Sequence, residues 1–313
     1  MTNFTFAFPG QGSQSLGMLA DLAATYPVVA NTFKEASDVL GYDLWTLCQD
    51  GPAESLNQTD KTQPALLAAS VAIWRVWAEI GGEKPTTIAG HSLGEYSALV
   101  CAGVIDFKDA IKLVELRGQL MQQAIPAGVG AMYAIIGLGD AEIKAACEQA
   151  AQGEVVSPVN FNSPGQVVIA GNKDAVERAG VLCKEAGAKR ALPLPVSVPS
   201  HCALMKPAAD KLAVALQDIT FNTPTIAVIN NVDVAIETDA DKIKDALVRQ
   251  LYCPVRWTDI VVKMAEQGIN LQVEAGPGKV LSGLVRRIEK SFTAQAINDT
   301  ASLAAALAAV KGE

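Results

Sequence analysis

Histidine is scarce in this chain of 313 residues, which contains only His91 and His201. Catalysis by a histidine base therefore has just two candidates. The six cysteines form no C-x-x-C pair, and no group of histidine, cysteine and carboxylate residues has the spacing of a metal site. This scattered spacing is typical of reduced thiols in a cytoplasmic protein rather than of a disulfide framework or a zinc site.

Long apolar runs and an excess of basic residues are also absent. Apolar stretches such as residues 65–72 are interrupted by polar residues well short of a membrane span. The first residues, from Met1 to Phe6, have neither the basic nor the apolar region of a signal peptide. The net charge of −8 argues against nucleic acid as the main partner. We therefore expect a cytoplasmic protein that binds neither nucleic acid nor a membrane.

Short strands alternate with helical stretches along most of the chain, and this alternation predicts an α/β fold with a mostly parallel sheet. Between residues 131 and 196 the order becomes strand, helix, strand, strand, helix, strand, which is the ferredoxin-like pattern. We therefore expect a core formed by residues 1–125 and 201–313. A small ferredoxin-like (βαββαβ) domain is expected to be inserted into it at residues 126–200.

A candidate nucleophile lies at the junction of a predicted strand and a predicted helix. The run Gly90-His91-Ser92-Leu93-Gly94 is a G-x-S-x-G motif in the context that gives this motif its meaning. The glycines permit a sharp turn that lifts the Ser92 hydroxyl clear of the sheet, and the helix N-terminus can stabilise a developing oxyanion. The alternative is a chance match in an ordinary turn between a strand and a helix.

A serine nucleophile needs a base, and His201 is the better of the two candidates. It lies on a predicted loop that leaves the inserted domain, a reasonable place for a catalytic base. His91 directly precedes Ser92, and adjacent residues on a sharp turn point in different directions, so we interpret His91 as structural. Cys202 neighbours His201 with poor geometry for a Cys–His pair and is interpreted as core or loop filling.

Arg117 falls on the apolar stripe of the helix predicted at residues 107–124. A guanidinium on an inward face is costly unless it meets an anion. Two interpretations follow, and the sequence does not separate them. Arg117 forms a structural ion pair with an Asp or Glu elsewhere, or it binds the carboxylate of a substrate.

With these residues identified, essentially the whole chain resembles the malonyl-CoA:acyl carrier protein transacylases of bacterial fatty acid synthesis, in their free-standing type II form. The motifs that carry the resemblance are Phe8-Pro-Gly-Gln-Gly-Ser-Gln14, Gln63-Pro64, Gly90-His-Ser-Leu-Gly-Glu-Tyr-Ser97, Arg117-Gly118, Asn160-Phe-Asn-Ser-Pro-Gly-Gln166, Ser200-His201, Gln250 with Pro254-Val-Arg-Trp257, and Glu274-Ala-Gly-Pro-Gly278. The family's fold is a hydrolase-like α/β core with a ferredoxin-like insertion, which agrees with the pattern above.

The resemblance also implies roles for individual residues. Ser92 would be the acylated nucleophile and His201 its base, oriented by the backbone carbonyl of Gln250 because the family has no acidic third member of the triad. The remaining implied roles are an oxyanion hole from the N–H groups of Gln11 and Leu93, a malonyl-carboxylate contact at Arg117, acyl-pocket residues Gln63 and Asn162, and contacts for the coenzyme A or phosphopantetheine arm at Asn160, Gln166 and Arg190. No metal or resident cofactor is implied, since the coenzyme A thioester is a substrate.

The implied partners are malonyl-CoA and an acyl carrier protein with its phosphopantetheine arm, and we expect the chain to be a monomer. Such carriers are acidic, so a local basic face is expected to dock them against the global negative charge. The candidates are Lys189, Arg190, Arg286, Arg287 and Lys290. A solvated helix end is the alternative for this cluster.

Three other functions stay open at this point. A serine hydrolase has the same motif, a carrier-binding scaffold would have lost the chemistry, and an acyltransferase serving polyketide assembly would look alike in sequence.

Overall fold

The computed structural model describes residues 3–196 and 198–313. Its nine strands are β1 Phe4–Phe8, β2 Thr87–Gly90, β3 Gly130–Ile136, β4 Val156–Ser163, β5 Gln166–Asn172, β6 Arg190–Pro193, β7 Ala227–Ile229, β8 Leu271–Ala275 and β9 Thr293–Ile297. Its helices are α1 Ala20–Thr25, α2 Pro27–Leu40, α3 Leu44–Asp50, α4 Ala53–Leu56, α5 Thr59–Glu79, α6 Leu93–Cys101, α7 Phe107–Gln123, α8 Asp140–Ala151, α9 Lys173–Glu185, α10 Lys206–Ala215, α11 Ala240–Gln250, α12 Trp257–Glu266, α13 Val280–Ile288 and α14 Thr300–Lys311.

The main sheet has the strand order β7-β2-β1-β8-β9, and all its described pairings are parallel. Strand β1 lies at the centre and is buried along its whole length. Its phenylalanines point to one face, where Phe6 makes edge-to-face contacts with Trp74 and Trp77 of α5 at centroid distances of 5.3 and 5.1 Å. Small residues such as Ala7 face the other layer. Helices therefore cover both faces of a parallel sheet, as the predicted α/β class requires.

The small sheet has the order β4-β5-β3-β6, and every pairing in it is antiparallel. Helices α8 and α9 pack together on it, and the element order β3-α8-β4-β5-α9-β6 is the predicted βαββαβ pattern. The predicted fold class is confirmed: a parallel α/β core with a small antiparallel sheet. Strand β6 ends at Pro193 rather than at residue 196, and residue 197 lies outside the described part. The division of the chain at residues 126 and 200 stays a prediction.

One helix boundary differs from what the sequence suggests. Residues 64–80 have a helical pattern in which Pro64 fits the first helical position, so the sequence predicts a helix that begins there. Helix α5 begins at Thr59, and Pro64 lies inside it. The ring removes only the bond to the carbonyl of Asp60, close to the helix N-terminus, so the helix tolerates it.

Five of the six cysteines are buried as free thiols, and Cys253 is partly buried. Burial raises the pKa of Cys48 to about 12 and that of Cys202 to about 11. The Cys202 thiol donates to the carbonyl of Pro199 at 3.1 Å, in keeping with its interpretation as a packing residue. Among residues 3–196 and 198–313, no helix combines the length and hydropathy that a membrane crossing needs.

Candidate active site

The turn between β2 and α6 holds Ser92 in a strained backbone conformation. Ser92 has φ 53° and ψ −108°, a region that non-glycine residues rarely adopt. Its N–H donates to Oδ1 of Asn231 at 2.7 Å, and the Asn231 amide donates in turn to the Gly90 carbonyl at 2.7 Å. Asn231 thus fastens both ends of the turn.

The two glycines of the motif are needed for close packing, not for a positive φ. A Cβ on Gly90 would lie 1.8 Å from the carbonyl carbon of Gly94, and a Cβ on Gly94 would lie 2.0 Å from the carbonyl oxygen of Phe8. The turn therefore presses against the end of β1 without room for a methyl group. This contact brings the loop after β1 next to the serine.

Ser92 and His201 form a hydrogen-bonded pair. Ser92 Oγ lies 2.8 Å from His201 Nε2, and His201 Nδ1 lies 2.6 Å from the backbone carbonyl oxygen of Gln250. Because a carbonyl oxygen only accepts, Nδ1 carries the ring proton and Nε2 is left to accept from the serine. This is the tautomer of a general base. His201 has φ 65°, so both members of the pair have left-handed backbone.

The pKa of His201 is lowered to about 3, because burial disfavours the charged ring and the Arg117 guanidinium adds to that effect. The imidazole is therefore neutral, and able to accept a proton, across the whole neutral range. His91 is also buried, with its pKa lowered by burial. Its Nε2 lies 2.8 Å from Asn162 Oδ1 and its ring packs near Trp257, in agreement with a structural role.

Two residues beside the serine are the predicted sources of the oxyanion hole. Gln11 and Leu93 both line the cavity that contains Ser92. Within the part of the chain that the structure describes, neither N–H has a hydrogen-bond acceptor. Leu93 is the first residue of α6, so its N–H belongs to the helix terminus, where negative charge is favoured.

Arg117 is 1% exposed and lies beside the serine on α7. Its Nη1 donates to Gln63 Oε1 at 2.7 Å. Its Nη2 donates to Gln250 Oε1 at 3.0 Å and to Ser92 Oγ at 3.2 Å. The guanidinium also lies over the ring of Tyr96, 5.3 Å from the centroid.

No carboxylate forms an ion pair with Arg117 among the described residues, and its Nε has no partner there. The structure therefore does not support the interpretation of Arg117 as half of a structural ion pair. A buried cation held by neutral oxygens, with a donor to spare, matches the other interpretation: a receptor for a substrate carboxylate.

The remaining predicted site residues divide into three groups. Asn160 lines the cavity, and its Oδ1 is buried without a hydrogen-bond partner among the described residues. Gln63 and Asn162, which were predicted to line the acyl pocket, are not among its described lining residues, because their side chains are bonded to Arg117 and His91. Gln166 and Arg190 do not line the cavity; they flank Ile136 at one end of the small sheet.

Sequence reasoning missed Glu95, Asn231 and the side chain of Gln250. Glu95 is 2% exposed, and burial raises its pKa to about 7. A signal for Asn231 existed: it follows β7, and the carboxyl ends of parallel strands gather site residues. Glu95 lies within the motif run, three residues after Ser92, but its partners come from far along the chain.

The cavity has a volume of about 110 Å³ and lies between the two sheets. Its apolar walls include Met121 from α7, Met132 from β3, and Leu194 and Val196 from the segment after β6. Arg117 is the charged residue among its described lining residues. The site therefore suits a small acyl group that ends in a carboxylate.

Comparison with known proteins gives consistent matches over the whole chain. The family model for the acyl transferase domain matches residues 5–307. The malonyl CoA-acyl carrier protein transacylase of Escherichia coli (strain K12) is 69% identical over 307 residues, which cover 98% of this chain and 99% of that protein.

Two solved structures are similarly close. The crystal structure of an acyl carrier protein S-malonyltransferase from Vibrio cholerae is 74% identical, with a TM-score of 0.96 and coverage of 97% of this chain and 99% of that one. A complex of a type II PKS acyl-carrier protein with its malonyl-transacylase contains a chain that is 69% identical, with a TM-score of 0.97 and coverage of 98% and 99%.

Proposed function

The chain belongs to the acyl transferase family and, within it, to the malonyl CoA–acyl carrier protein transacylases, and we propose that it transfers malonyl through an ester on Ser92. The donor is malonyl-CoA, the acceptor is the phosphopantetheine thiol of an acyl carrier protein, and the product serves fatty acid biosynthesis. The main support for the role of Ser92 is its 2.8 Å hydrogen bond to His201. The pair lies in a pocket where Arg117 is the one charged residue among the described lining residues.

In the first half-reaction, Ser92 Oγ attacks the thioester carbonyl of malonyl-CoA while its proton passes to His201 Nε2. The carbonyl electron pair moves onto oxygen, where the N–H groups of Gln11 and Leu93 stabilise it. The intermediate then collapses, the C–S bond breaks, and the departing sulfur takes the proton from His201. Because burial and Arg117 lower the pKa of His201, the protonated ring is a stronger acid than an ordinary imidazolium and returns this proton readily.

In the second half-reaction, the phosphopantetheine thiol loses its proton to His201 and attacks the malonyl ester. The new C–S bond forms, the C–O bond to Ser92 breaks, and the serine recovers the proton. Thiols have pKa values near 8.5, so they ionise and leave easily. A neutral carbonyl behind His201 therefore suffices where an amide hydrolase uses a carboxylate. The cycle needs no metal and no resident cofactor.

Arg117 binds the free carboxylate of the malonyl group in this proposal. The guanidinium has five donors, and the described residues leave its Nε without a partner. Asn160 offers its free Oδ1 to an amide of the coenzyme A or phosphopantetheine arm, while Gln63 and Asn162 fix Arg117 and His91 at the pocket wall.

The carrier is proposed to dock on a basic patch, defined as Lys189, Arg190, Arg286, Arg287 and Lys290. Arg287 Nη1 donates to Gln166 Oε1 at 2.7 Å, and Arg190 and Gln166 pair with the same residue of β3. The fold thus brings α13 to the end of the small sheet where Lys189 and Arg190 lie. This placement supports roles for Gln166 and Arg190 near the phosphate of the arm. We further propose that the protein acts as a monomer and that it does so in the cytoplasm. Every group named in the cycle comes from a single chain.

The experiment that tests this function is intact-mass measurement after brief mixing with malonyl-CoA. We expect a malonyl adduct on the wild type and on Ser70→Ala, a buried serine outside the pocket, but none on Ser92→Ala. Adding the carrier protein should discharge the adduct to malonyl-carrier. Carriers of the fatty acid and the PKS type are compared, because one structural neighbour is a complex with a PKS carrier.

Two results would contradict the proposal. Accumulation of free malonate without an adduct would indicate a serine hydrolase. Neither adduct nor turnover would indicate a different donor or a carrier-binding scaffold.

A further inference from the structure

Glu95 is a buried carboxylate that the proposed cycle leaves without a role. It lies on the first turn of α6 and is 2% exposed. No Lys or Arg of the described chain forms an ion pair with it. Burying a carboxylate without an ionic partner costs free energy of folding. Its hydrogen bonds can offset this cost by fixing the positions of neighbouring groups.

The first contact of Glu95 is with the side chain of Gln250. Glu95 Oε2 accepts from Gln250 Nε2 at 2.8 Å. Glu95 Oε2 accepts hydrogen bonds from both Gln250 Nε2 and the Asn231 N–H, so the nitrogen end of the Gln250 amide is the end that faces it. The amide oxygen is thereby turned to the other side, where it accepts from Arg117 Nη2 at 3.0 Å. Glu95 thus orients the Gln250 amide, and this orientation provides the acceptor for Arg117 Nη2.

The second contact of Glu95 is with the turn that carries the nucleophile. Its Oε2 also accepts from the backbone N–H of Asn231 at 3.0 Å. The side chain of Asn231 then binds the N–H of Ser92, and Gln250 Nε2 donates to the Ser92 carbonyl at 3.0 Å. Both branches of the network therefore lead from Glu95 to the reacting groups.

We propose that Glu95 is a positioning residue for malonyl selectivity: its carboxylate orients the Gln250 amide and so places the Arg117 guanidinium where the malonyl carboxylate arrives. The inference rests on the proposed function of Arg117. An acid in direct contact with Arg117 would occupy the donors that the substrate needs. With Gln250 in between, Glu95 orients the guanidinium while leaving the malonyl carboxylate as its direct ionic partner.

The test compares two substitutions at one position by the ratio of kcat/KM for malonyl-CoA to kcat/KM for acetyl-CoA. Glu95→Gln keeps one acceptor oxygen, which can take the place of Oε2, and should leave this ratio within about threefold of wild type. Glu95→Met has a similar length but accepts no strong hydrogen bond, and should lower the ratio by about tenfold or more, the effect of one lost bond to a charged group. Acetyl transfer should fall less, because it depends on Glu95 only through the hydrogen bonds from Asn231 and Gln250 that hold Ser92.

Glu274→Gln is the matched control. Glu274 is an equally buried carboxylate, but it accepts from the N–H groups of Leu281 and Ser282 at the start of α13, away from the cavity. Its substitution should lower the melting temperature and leave the selectivity ratio unchanged. Should Glu95→Met fail to fold, Gln250→Met takes its place, because it keeps the carbonyl that orients His201 and should lower the ratio equally.

Arg117→Ala separates this inference from the function it rests on. If Arg117→Ala leaves the ratio unchanged, the carboxylate-binding role of Arg117 is wrong. If Arg117→Ala lowers the ratio but Glu95→Met reduces both substrates equally, Arg117 keeps its role and Glu95 is merely structural. Equal effects of Glu95→Gln and Glu95→Met would also overturn the proposal, since orientation by an acceptor would then be irrelevant.

Discussion

Ser92 and His201, the two residues that exchange a proton in the proposed cycle, both have positive φ values. Each such conformation costs roughly 1–3 kcal/mol in a non-glycine residue. The surroundings hold both in place: Asn231 binds the Ser92 N–H, and the His201 N–H donates to the Leu251 carbonyl at 2.9 Å. The fold therefore stores strain at the catalytic pair.

The lowered pKa of His201 predicts the pH dependence of acylation. A histidine of ordinary pKa, 6.5, becomes protonated in mild acid and stops accepting protons, whereas His201 stays neutral down to about pH 3. The rate of Ser92 acylation by malonyl-CoA in a single turnover should therefore change by less than about twofold between about pH 5.5 and 8. Quenched-flow intact mass gives this rate. A rate that falls about tenfold toward pH 5.5 with a midpoint near 6.5 would contradict the assigned pKa.

At the residue scale, the sequence identified single reactive residues better than it identified the contacts between residues. Ser92 stood out because its motif lies between a strand and a helix, and His201 because histidine is scarce. Arg117 stood out because it lies on an apolar helix face. Glu95 and the side chain of Gln250 did not stand out, because their roles arise from contacts between α6 and α11 that no local pattern encodes.

Among the elements, the junction of β2 and α6 has the tightest packing constraint. Gly94 touches the backbone of Phe8 so closely that a methyl group must displace one of the two segments. Backbone is displaced less easily than a side chain end, so the strain would move the turn that carries Ser92.

Gly94→Ala should therefore lower the free energy of unfolding by roughly 2 kcal/mol or more and greatly reduce acylation of Ser92. Gly283→Ala is the matched control, because it also lies in a helix but an added Cβ meets no atom within 4 Å. That control should gain up to about 1 kcal/mol of helix stability with unchanged acylation. Urea unfolding and intact mass check both variants, and a Gly94→Ala variant as stable and active as the control would refute the packing argument.

Element boundaries followed the sequence where hydrophobic periodicity was strong and departed from it at special residues. Helix α7 lies close to its predicted position at residues 107–124, since an apolar stripe specifies it. Helix α5 begins earlier than predicted because a proline near a helix N-terminus costs one hydrogen bond, which the packing of a buried helix outweighs. Strand order had no local signal, because it depends on crossovers between distant segments.

On the scale of the whole molecule, some basic residues lie close together although the net charge is negative. The chain has a net charge of −8, yet Arg287 of α13 bonds to Gln166 at the end of the small sheet where Arg190 also lies. We propose that residues 126–200 form a small domain that contains this sheet. This domain is inserted into a core of residues 1–125 and 201–313.

Charge reversal of the basic patch should slow the encounter with the carrier without affecting acylation. Arg286→Glu with Arg287→Glu should lower kcat/KM for the carrier by about tenfold or more at low salt, with the loss shrinking as salt is raised. Lys108→Glu with Lys112→Glu, exposed on α7, makes the same change in net charge and should have a much smaller effect. Stopped-flow discharge of the malonyl-enzyme measures both. Equal rates for the two double variants would remove Arg286 and Arg287 from the docking face.

The buried cysteines matter in a molecule that hands an acyl group from one thiol to another. Any accessible, ionisable thiol on its own surface would be an unwanted acceptor, able to trap malonyl as a stable side product. Burial raises the pKa of Cys147 to about 12 and of Cys183 to about 11, and the partly buried Cys253 also has a raised pKa. Selective transfer to the carrier thus depends on the burial of the enzyme's own thiols as well as on recognition of the carrier. The acyl group reacts with one nucleophile of the enzyme, and the thiols that compete for it are those of coenzyme A and the carrier.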